Sequence, residues 1–421
     1  VKIVHVVHQY PPEFRGGTEA CLQTLAAAQL ARGDTPFVVA GSDERSEQGE
    51  LRLEAVDDVP VCRVLRRPGE NYSMDHRQPR VAEQVVELVS AERPDLVHLH
   101  HTLNLSGDLA HRLSAAGHTV VASLHDYTTV CARFFLCRPD GSSCAEAFPL
   151  PSDRCHECVL PDFPAGAEAL SVELAARSAV AAAEASAWSL AVVPAEVVAE
   201  RWRRSGLVDP DRLVVLPHAV PLTSEQPPAA RDRSDGRLNL VTWGHLAPAK
   251  GVLDLIAALR LAADERLSLM VLGAPVDAEF AEQLLDAAEG LNVSFVGAYI
   301  SEELRLVAGR VDLAVFPSRA EETFGLVVAE ARALGLPVVT SDRGALPERV
   351  GAAGTTVPAA EPEALAELLL NLAEDGARLA RWRRAARSDL QDAAGHADQM
   401  AGLYARALGS PAASRPRADN P

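Results

Sequence analysis

Ala314-Val315-Phe316-Pro317-Ser318-Arg319-Ala320-Glu321-Glu322-Thr323-Phe324-Gly325-Leu326-Val327-Val328-Ala329-Glu330-Ala331-Arg332-Ala333-Leu334-Gly335-Leu336-Pro337-Val338-Val339 reads as a buried strand, a glycine-containing loop, a helix, a turn and a second buried strand. A parallel α/β sheet puts its ligand at such a place, outside the carboxyl ends of its strands. Glu322 falls in the loop beside the helix start and Glu330 lies inside the helix, so both can face one cleft. The helix N-terminus near Phe324 and Gly325 offers backbone N–H groups and positive partial charge, which suits a diphosphate. Spacing alone carries little weight, because 58 acidic residues in a chain of 421 produce many such pairs. The competing reading makes Glu322 a complement to the helix dipole and Glu330 a solvated helix residue.

Asn239-Leu240-Val241-Thr242-Trp243-Gly244-His245-Leu246-Ala247-Pro248-Ala249-Lys250-Gly251-Val252-Leu253-Asp254-Leu255-Ile256 is a second strand, glycine loop and helix. Lys250 stands at the helix entrance, where an ammonium holds phosphate as a point charge. The order Gly-x-x-x-x-Gly-Lys-Ser/Thr is absent, so this is no Walker loop. Taken alone, the segment is more readily read as a solvated lysine beside a turn.

Together, and in this order, the two elements resemble the retaining nucleotide-sugar glycosyltransferases of family 4, over most of the chain. The resemblance implies an α/β protein of GT-B fold, two Rossmann-like parallel-sheet domains facing a central cleft. It implies transfer of a sugar from a nucleoside diphosphate sugar to an acceptor hydroxyl with retention of configuration. By position, Glu330 would bind the nucleotide ribose, Glu322 the donor sugar and Lys250 the diphosphate, with Gly244, His245, Phe324, Gly325 and Leu326 lining the donor site. Where such sequences commonly carry arginine after the loop glycine, this chain has His245. A neutral imidazole stabilises a leaving diphosphate less than guanidinium does. The alternatives within the fold are a nucleotide-sugar epimerase or a phosphorylase; outside catalysis, a silent nucleotide-sugar-binding or assembly partner.

Length and strand-helix rhythm predict two domains. Residues 1–220 carry strand candidates at 2–8, 36–40, 61–65, 96–100, 120–125, 190–194 and 213–219, with helical stretches such as 18–32 and 167–187. Residues 221–236, with three prolines and no apolar period, read as a linker. Strands at 238–243, 267–272, 293–296, 313–316 and 338–340 then build a second sheet in a domain ending near 377. Residues 378–408 are helical in composition, and the resemblance implies that they cross back to the first domain; 409–421 read as a disordered tail.

In the first domain, Gly16 and Gly17 follow the opening strand and begin a helix, which permits close approach of backbone to ligand. A bare Gly-Gly is also ordinary turn chemistry. The resemblance places this pair against the donor's phosphate and sugar. His125 and Asp126 close a strand at its carboxyl end; the resemblance makes His125 a catalytic-site contact to the donor sugar, with Asp126 the neighbour expected to fix its tautomer. Five of the seven cysteines fall in 131–158. Cys137, Cys144, Cys155 and Cys158 could hold a structural zinc, with free thiols in a reducing cytoplasm as the alternative of equal weight and disulfides disfavoured there. Catalysis calls for no cofactor: the one clear Asp-x-Asp, Asp209-Pro210-Asp211, sits in a turn.

Net charge of −18 argues against a nucleic-acid partner. No apolar run approaches the roughly 18 residues needed to span a bilayer, and the chain opens directly on a strand, so a soluble cytoplasmic protein is expected. Two basic clusters, Arg63, Arg66, Arg67, Arg77 and Arg80, and Arg201, Arg203 and Arg204 around Trp202, raise a peripheral contact with the inner membrane face or a phosphorylated acceptor, against the reading of solvated faces.

Overall fold

The computed structural model describes residues 1–70, 76–144, 153–163, 166–220 and 226–409. The chain divides into two compact units: Val1–Phe134 with Ala147–Ala219 and Ala393–Pro421, and Phe135–Glu146 with Val220–Asp392. The predicted tail, apart from Gly409, and residues 221–225 of the predicted linker lie outside the described residues, as do 145–152 of the cysteine-rich segment.

In the first unit, eight strands form one sheet: β1 (Lys2–Val7), β2 (Thr35–Arg45), β3 (Leu51–Val56), β4 (Val59–Arg66), β5 (Leu96–Leu99), β6 (Val120–Ser123), β7 (Leu190–Val193) and β8 (Leu213–Val215). Their order is β3-β4-β2-β1-β5-β6-β7-β8. All neighbours are parallel except β3 and β4, a hairpin closed by Asp57 and Asp58, both at positive φ (50° and 64°). Positive φ at both turn residues gives the twist that a two-residue hairpin needs. The sequence reading missed β3 because Leu51-Arg52-Leu53-Glu54 alternates with charge and one face of this edge strand is exposed. Helix α1 (Gly17–Arg32) follows β1, and α14 (Ala393–Gly409) lays Met400, Tyr404 and Ala407 against Ile3, Leu25, Leu96 and Leu190.

The second unit has six parallel strands: β9 (Leu238–Trp243), β10 (Leu267–Leu272), β11 (Val293–Gly297), β12 (Leu313–Phe316), β13 (Val338–Ser341) and β14 (Gly354–Val357). The order is β11-β10-β9-β12-β13-β14. Numbered from its first strand this is 3-2-1-4-5-6, the Rossmann order, whose direction of winding reverses between β9 and β12. Helix α7 (Val252–Ala262) follows β9, and α10 (Leu326–Ala333) follows β12. Leu255, Ile256 and Leu259 of α7 pack on Leu365 and Leu369 of α12 (Pro362–Glu374), against Leu240, Leu269 and Val315 of the sheet.

The helical stretch 378–408 comprises two helices, α13 (Gly376–Ala385) in the second unit and α14 in the first, interrupted where Asp389 adopts φ 60°. The expected basic clusters need correction. They reach the surface only in part: Arg67, Arg77, Arg203 and Arg204 are exposed, but three of the arginines are not. Arg63 is buried and donates to Tyr10 O, Pro11 O and Glu54; Arg66 is buried; Arg201 donates to the Tyr127 hydroxyl at 2.7 Å; and Trp202 is in the core. Among the described residues no helix is long and apolar enough to cross a membrane.

Candidate active site

The loops after β9 and β12 flank the point where the second sheet's winding reverses, which is where such sheets open a crevice. After β9, Gly244 turns at φ 124° and the chain enters a short 3₁₀ turn, Pro248–Lys250. Gly251 follows at φ 72°, and a Cβ there would lie 1.9 Å from Pro317 O, so only glycine lets the two loops touch. They are joined by backbone: Arg319 N donates to Ala249 O at 2.8 Å and Ala320 N to the same oxygen at 3.1 Å. Arg319 Nε also donates to Asp254 on α7, at 2.7 Å.

This clasp brings Lys250 and Glu322 together. Lys250 Nζ donates to Glu322 Oε1 at 2.7 Å, and Ser318 Oγ donates to the same oxygen at 2.8 Å. Both side chains retain access to solvent, at 33% and 18% exposure. The neighbouring Glu321 is structural: buried, it accepts from Gly344 N at 2.9 Å and Ser143 Oγ at 2.5 Å. Adjacent glutamates thus divide the work, one pinning the loop and one facing the crevice.

Helix α10 begins at Gly325, whose φ of 78° is left-handed and which has no side chain to cap the first turn. Phe324 is buried just before it and Leu326 is its first residue. One helical repeat on, Glu330 is buried, and Trp243 Nε1 donates to Glu330 Oε2 at 3.0 Å. The solvated-helix alternative for Glu330 is therefore wrong. Burial raises its pKa to about 7, against the pull of the indole N–H. A carboxyl held this way is primed to accept from hydroxyl donors that restore what desolvation removed. His245, largely exposed, has its pKa lowered by partial desolvation and then by the Lys250 cation, so it is neutral near pH 7 before any anion arrives.

In the first unit the sheet reverses between β1 and β5, and the residues expected at a site lie at those strand ends. Gly16 N donates to Glu19 Oε2 at 3.0 Å, which fixes the loop carrying Gly16 and Gly17; a glutamate three residues past a helix cap is the readable signal for this. The other Glu19 oxygen is 3.0 Å from His8 Nε2. Burial raises the Glu19 pKa to about 7 and lowers that of His8 to about 2. The His8 ring lies tilted against that of His101, with centroids 4.2 Å apart, and His101 Nε2 meets Asp126 Oδ2 at 3.0 Å.

Asp126 thus spends itself on His101 and Thr128, and the ring bond that orients His125 comes from His100, correcting the expected His125–Asp126 pairing. His100 Nδ1 and His125 Nε2 are 2.9 Å apart, His100 Nε2 and His5 Nδ1 3.1 Å, and His5 Nε2 and Gln29 Oε1 2.8 Å. With the Gln29 amide oxygen accepting from His5, each ring donates toward Gln29, and the relay leaves the His125 proton on Nε2 and its lone pair on Nδ1. Gln29 Nε2 donates to the Tyr404 hydroxyl, 3.0 Å away, and that hydroxyl reaches His98 Nδ1 at 2.8 Å. Sequence reasoning saw isolated histidines; they are a connected buried network.

The seven cysteines form no disulfide with one another. Of the four cysteines expected to hold a structural zinc, Cys137 and Cys144 belong to the second unit and Cys155 and Cys158 to α4 (Asp153–Val159) of the first. Among the described residues, the metal-ligating side chains that gather in threes are His5, His98 and His100, and Cys21, His125 and His218. The first trio already uses each of its ring nitrogens in the hydrogen bonds of this network.

The glycosyltransferase family 4 profile matches residues 15–224, and that of the group 1 glycosyl transferases matches 237–375. Glycogen synthase of Mycobacterium tuberculosis is 37% identical over 172 residues, 39% of this chain and 41% of that protein. D-inositol 3-phosphate glycosyltransferase of Geodermatophilus obscurus is 33% identical over 230 residues, 48% of this chain and 51% of that protein. The chain thus spans about half, or less, of the length of these curated relatives. Among solved structures, sucrose-phosphate synthase from Thermosynechococcus elongatus superposes with a TM-score of 0.71 at 19% identity, over 96% of this chain and 99% of that one. HepE from Anabaena, in complex with UDP, gives 0.67 at 19% identity over 96% and 100%. Those likenesses speak to fold, and the profiles, which together cover both sheets, speak to descent: the chain belongs to glycosyltransferase family 4 and has its GT-B fold of two Rossmann-like domains.

Proposed function

We propose that the protein moves a glycosyl group from a nucleoside diphosphate sugar to an acceptor hydroxyl, with retention of anomeric configuration, in the making of a glycan, glycolipid or glycosylated metabolite. The observation that carries this reading is the Lys250–Glu322 contact at the reversal point of a Rossmann sheet, beside the uncapped first turn of α10. The solved structure of HepE with UDP and glucose supports a nucleotide-sugar donor.

On donor binding, Lys250 exchanges Glu322 for the diphosphate, and Glu322 turns to the hydroxyls of the sugar. Glu330 accepts from the ribose. The loop of Gly16 and Gly17 approaches phosphate and sugar, and the His125 lone pair accepts a sugar hydroxyl. When the anomeric carbon–oxygen bond breaks, its electrons leave on the diphosphate, where Lys250, the α10 amides and a newly protonated His245 stabilise them. The acceptor oxygen bonds to the anomeric carbon and passes its proton to the departing diphosphate oxygen. Glu322 offsets the positive charge that builds on the ring. The leaving group is already good, so no carboxylic acid is needed to protonate it.

The test is release of nucleoside diphosphate from a panel of UDP-, GDP- and ADP-sugars with candidate hydroxyl acceptors, with the anomeric configuration of the product read by NMR. Transfer with retention is expected; an inverted product, or a sugar epimer formed without transfer, would refute the proposal. His245 favours the second reading, a silent nucleotide-sugar binder, because it is neutral where an arginine would be charged. If the protein is an enzyme limited at this position, His245→Arg raises turnover about tenfold, the effect of about 1.4 kcal/mol of added charge stabilisation. Unchanged turnover would remove His245 from the mechanism.

Glu330 makes a further expectation. Its ionised form accepts from the ribose, and its unliganded pKa is raised to about 7, so binding must drive off a proton. Nucleotide affinity therefore tightens as pH rises through 7, by about tenfold between pH 6 and 8. In Glu330→Gln the Kd is weaker, and this component of its pH dependence disappears in calorimetric titrations.

A further inference from the structure

We propose that the hairpin Phe135–Cys144 forms a wall of the donor site, and that the face of the Phe135 ring receives the donor pyranose and the positive charge that develops on it. This rests on the glycosyl transfer proposed above. The chain leaves the first unit after Phe134, and Phe135 opens a segment that belongs to the second.

Backbone holds the hairpin together. Cys137 and Ser143 pair across it as an antiparallel bridge, Cys144 N donates to Leu136 O at 2.9 Å, Arg138 N to Ser142 O at 2.9 Å and Gly141 N to Arg138 O at 2.9 Å. Asp140 Oδ1 accepts from Ser142 N at 2.8 Å, which fixes the tip, and Leu136 is fully buried. The same hairpin is tied to the loop that carries Glu322. Glu321 N donates to Phe135 O at 3.1 Å, and Ser143 Oγ donates to Glu321 Oε1 at 2.5 Å. Gly141, at φ 81°, lies against Arg319, the side chain that joins this loop to α7; a Cβ there would stand 3.0 Å from Arg319 Nη1.

These contacts set Phe135 beside Lys250 and Glu322. Lys250 Nζ stands over the ring, 5.7 Å from its centre, and donates to Glu322 Oε1 at 2.7 Å. Phe135 is 42% exposed, so its ring is open to a ligand as well as to the lysine. An aromatic face carries negative potential and attracts a cation held within about 6 Å. When Lys250 moves to the diphosphate and Glu322 to the sugar hydroxyls, the ring face is left to the sugar held on that carboxylate. A pyranose offers such a ring a face of C–H bonds, and as the anomeric bond breaks, its anomeric carbon and ring oxygen share a positive charge. Phe135 thus exchanges one cation, the ammonium, for another that exists only near the transition state. An attraction that grows with this charge lowers the barrier more than it tightens donor binding.

The test takes the full chain and its Phe135→Ala, Phe135→Leu and Phe135→Tyr variants, with cooperative melting of each confirming that it folds. Calorimetry gives the Kd of UDP, GDP and ADP, and transfer assays with their hexose conjugates give kcat. Leucine keeps apolar bulk without the aromatic face, and tyrosine keeps the face. Phe135→Ala and Phe135→Leu are expected to lower kcat about tenfold, and Phe135→Tyr to stay within about twofold of the parent chain. The Kd of the nucleoside diphosphate should be the same in all four. The proposal is overturned if Phe135→Ala or Phe135→Leu turns over like the parent, if Phe135→Tyr loses as much as Phe135→Leu, or if the nucleoside diphosphate Kd weakens in step with kcat. A parent chain that binds no nucleoside diphosphate, or transfers no sugar, would instead remove the glycosyl-transfer reading and the role of Phe135 with it.

Discussion

Replacing Lys250 with alanine should lower donor turnover by about 10²- to 10³-fold, or about 3–4 kcal/mol in the barrier, the usual cost of deleting one preorganised group that meets developing negative charge. Lys250 is the cation placed at the reversal of the second sheet, and its ammonium already occupies a fixed position against Glu322 and over the Phe135 ring at 5.7 Å. The α10 amides remain in the variant, so some turnover survives. Affinity should fall as well, because Glu322 would then face the diphosphate without a counter-charge. That second effect is separable. Adding Glu322→Gln to Lys250→Ala should restore part of the binding but none of the turnover, a non-additivity that a double-mutant cycle measures. Equal losses in binding and turnover, both recovered by Glu322→Gln, would mean that Lys250 serves only to neutralise the glutamate.

Acid should unfold the protein early, between about pH 6 and 5. Burial lowers the pKa of His5 and His396 to about 4, of His125 to about 3 and of His8 to about 2, and puts His98 and His100 well below the usual histidine value. A folded pKa below the unfolded one near 6.5 gives stability that is complete above 6.5 and lost as pH falls toward the folded value. Each proton that the unfolded chain alone takes up costs about 1.4 kcal/mol per pH unit, so several together remove a typical domain's 5–15 kcal/mol within one or two units. Glu19 and Glu330, raised to about 7, and Glu184, raised to about 8, act in the opposite sense. Their stabilisation is complete below the ordinary carboxylate value and lost as pH rises through 7 to 8, so they oppose the loss below pH 7 but are outnumbered. Maximum stability therefore falls near neutrality. Denaturant melts at pH 7, 6 and 5 check this; constant stability across the three would contradict a neutral buried histidine network.

The parts of this architecture that were legible in the sequence are those governed by local apolar runs. Strands β9, β10 and β12 begin and end where the apolar runs do, and α5 (Ala167–Ala187) occupies the alanine-rich stretch. β14, opening on Gly354-Thr355-Thr356, offers one buried position, too little for a periodic signal. The strand order was not legible, and it decides the rest. Lys250 and Glu322 are 72 positions apart, and only the adjacency of β9 and β12 makes them neighbours. Likewise His5 and His98 pair across β1 and β5, which turns two histidines that looked solitary into one network. Arg63 read as part of a surface charge cluster because composition does not show which face of a strand is inward; its carbonyl partners Tyr10 and Pro11 lie more than fifty positions away.

On the function proposed above, the second unit holds a nucleoside diphosphate sugar between Lys250, Glu322 and Glu330. Thermal melting with UDP, GDP, ADP and their sugar conjugates, beside Lys250→Ala and Glu330→Ala, tests it most directly. One base is expected to raise the melting temperature selectively, and both variants, still melting cooperatively, to lose the shift. A cooperative melt that no nucleotide moves, or a shift that survives both substitutions, would contradict it.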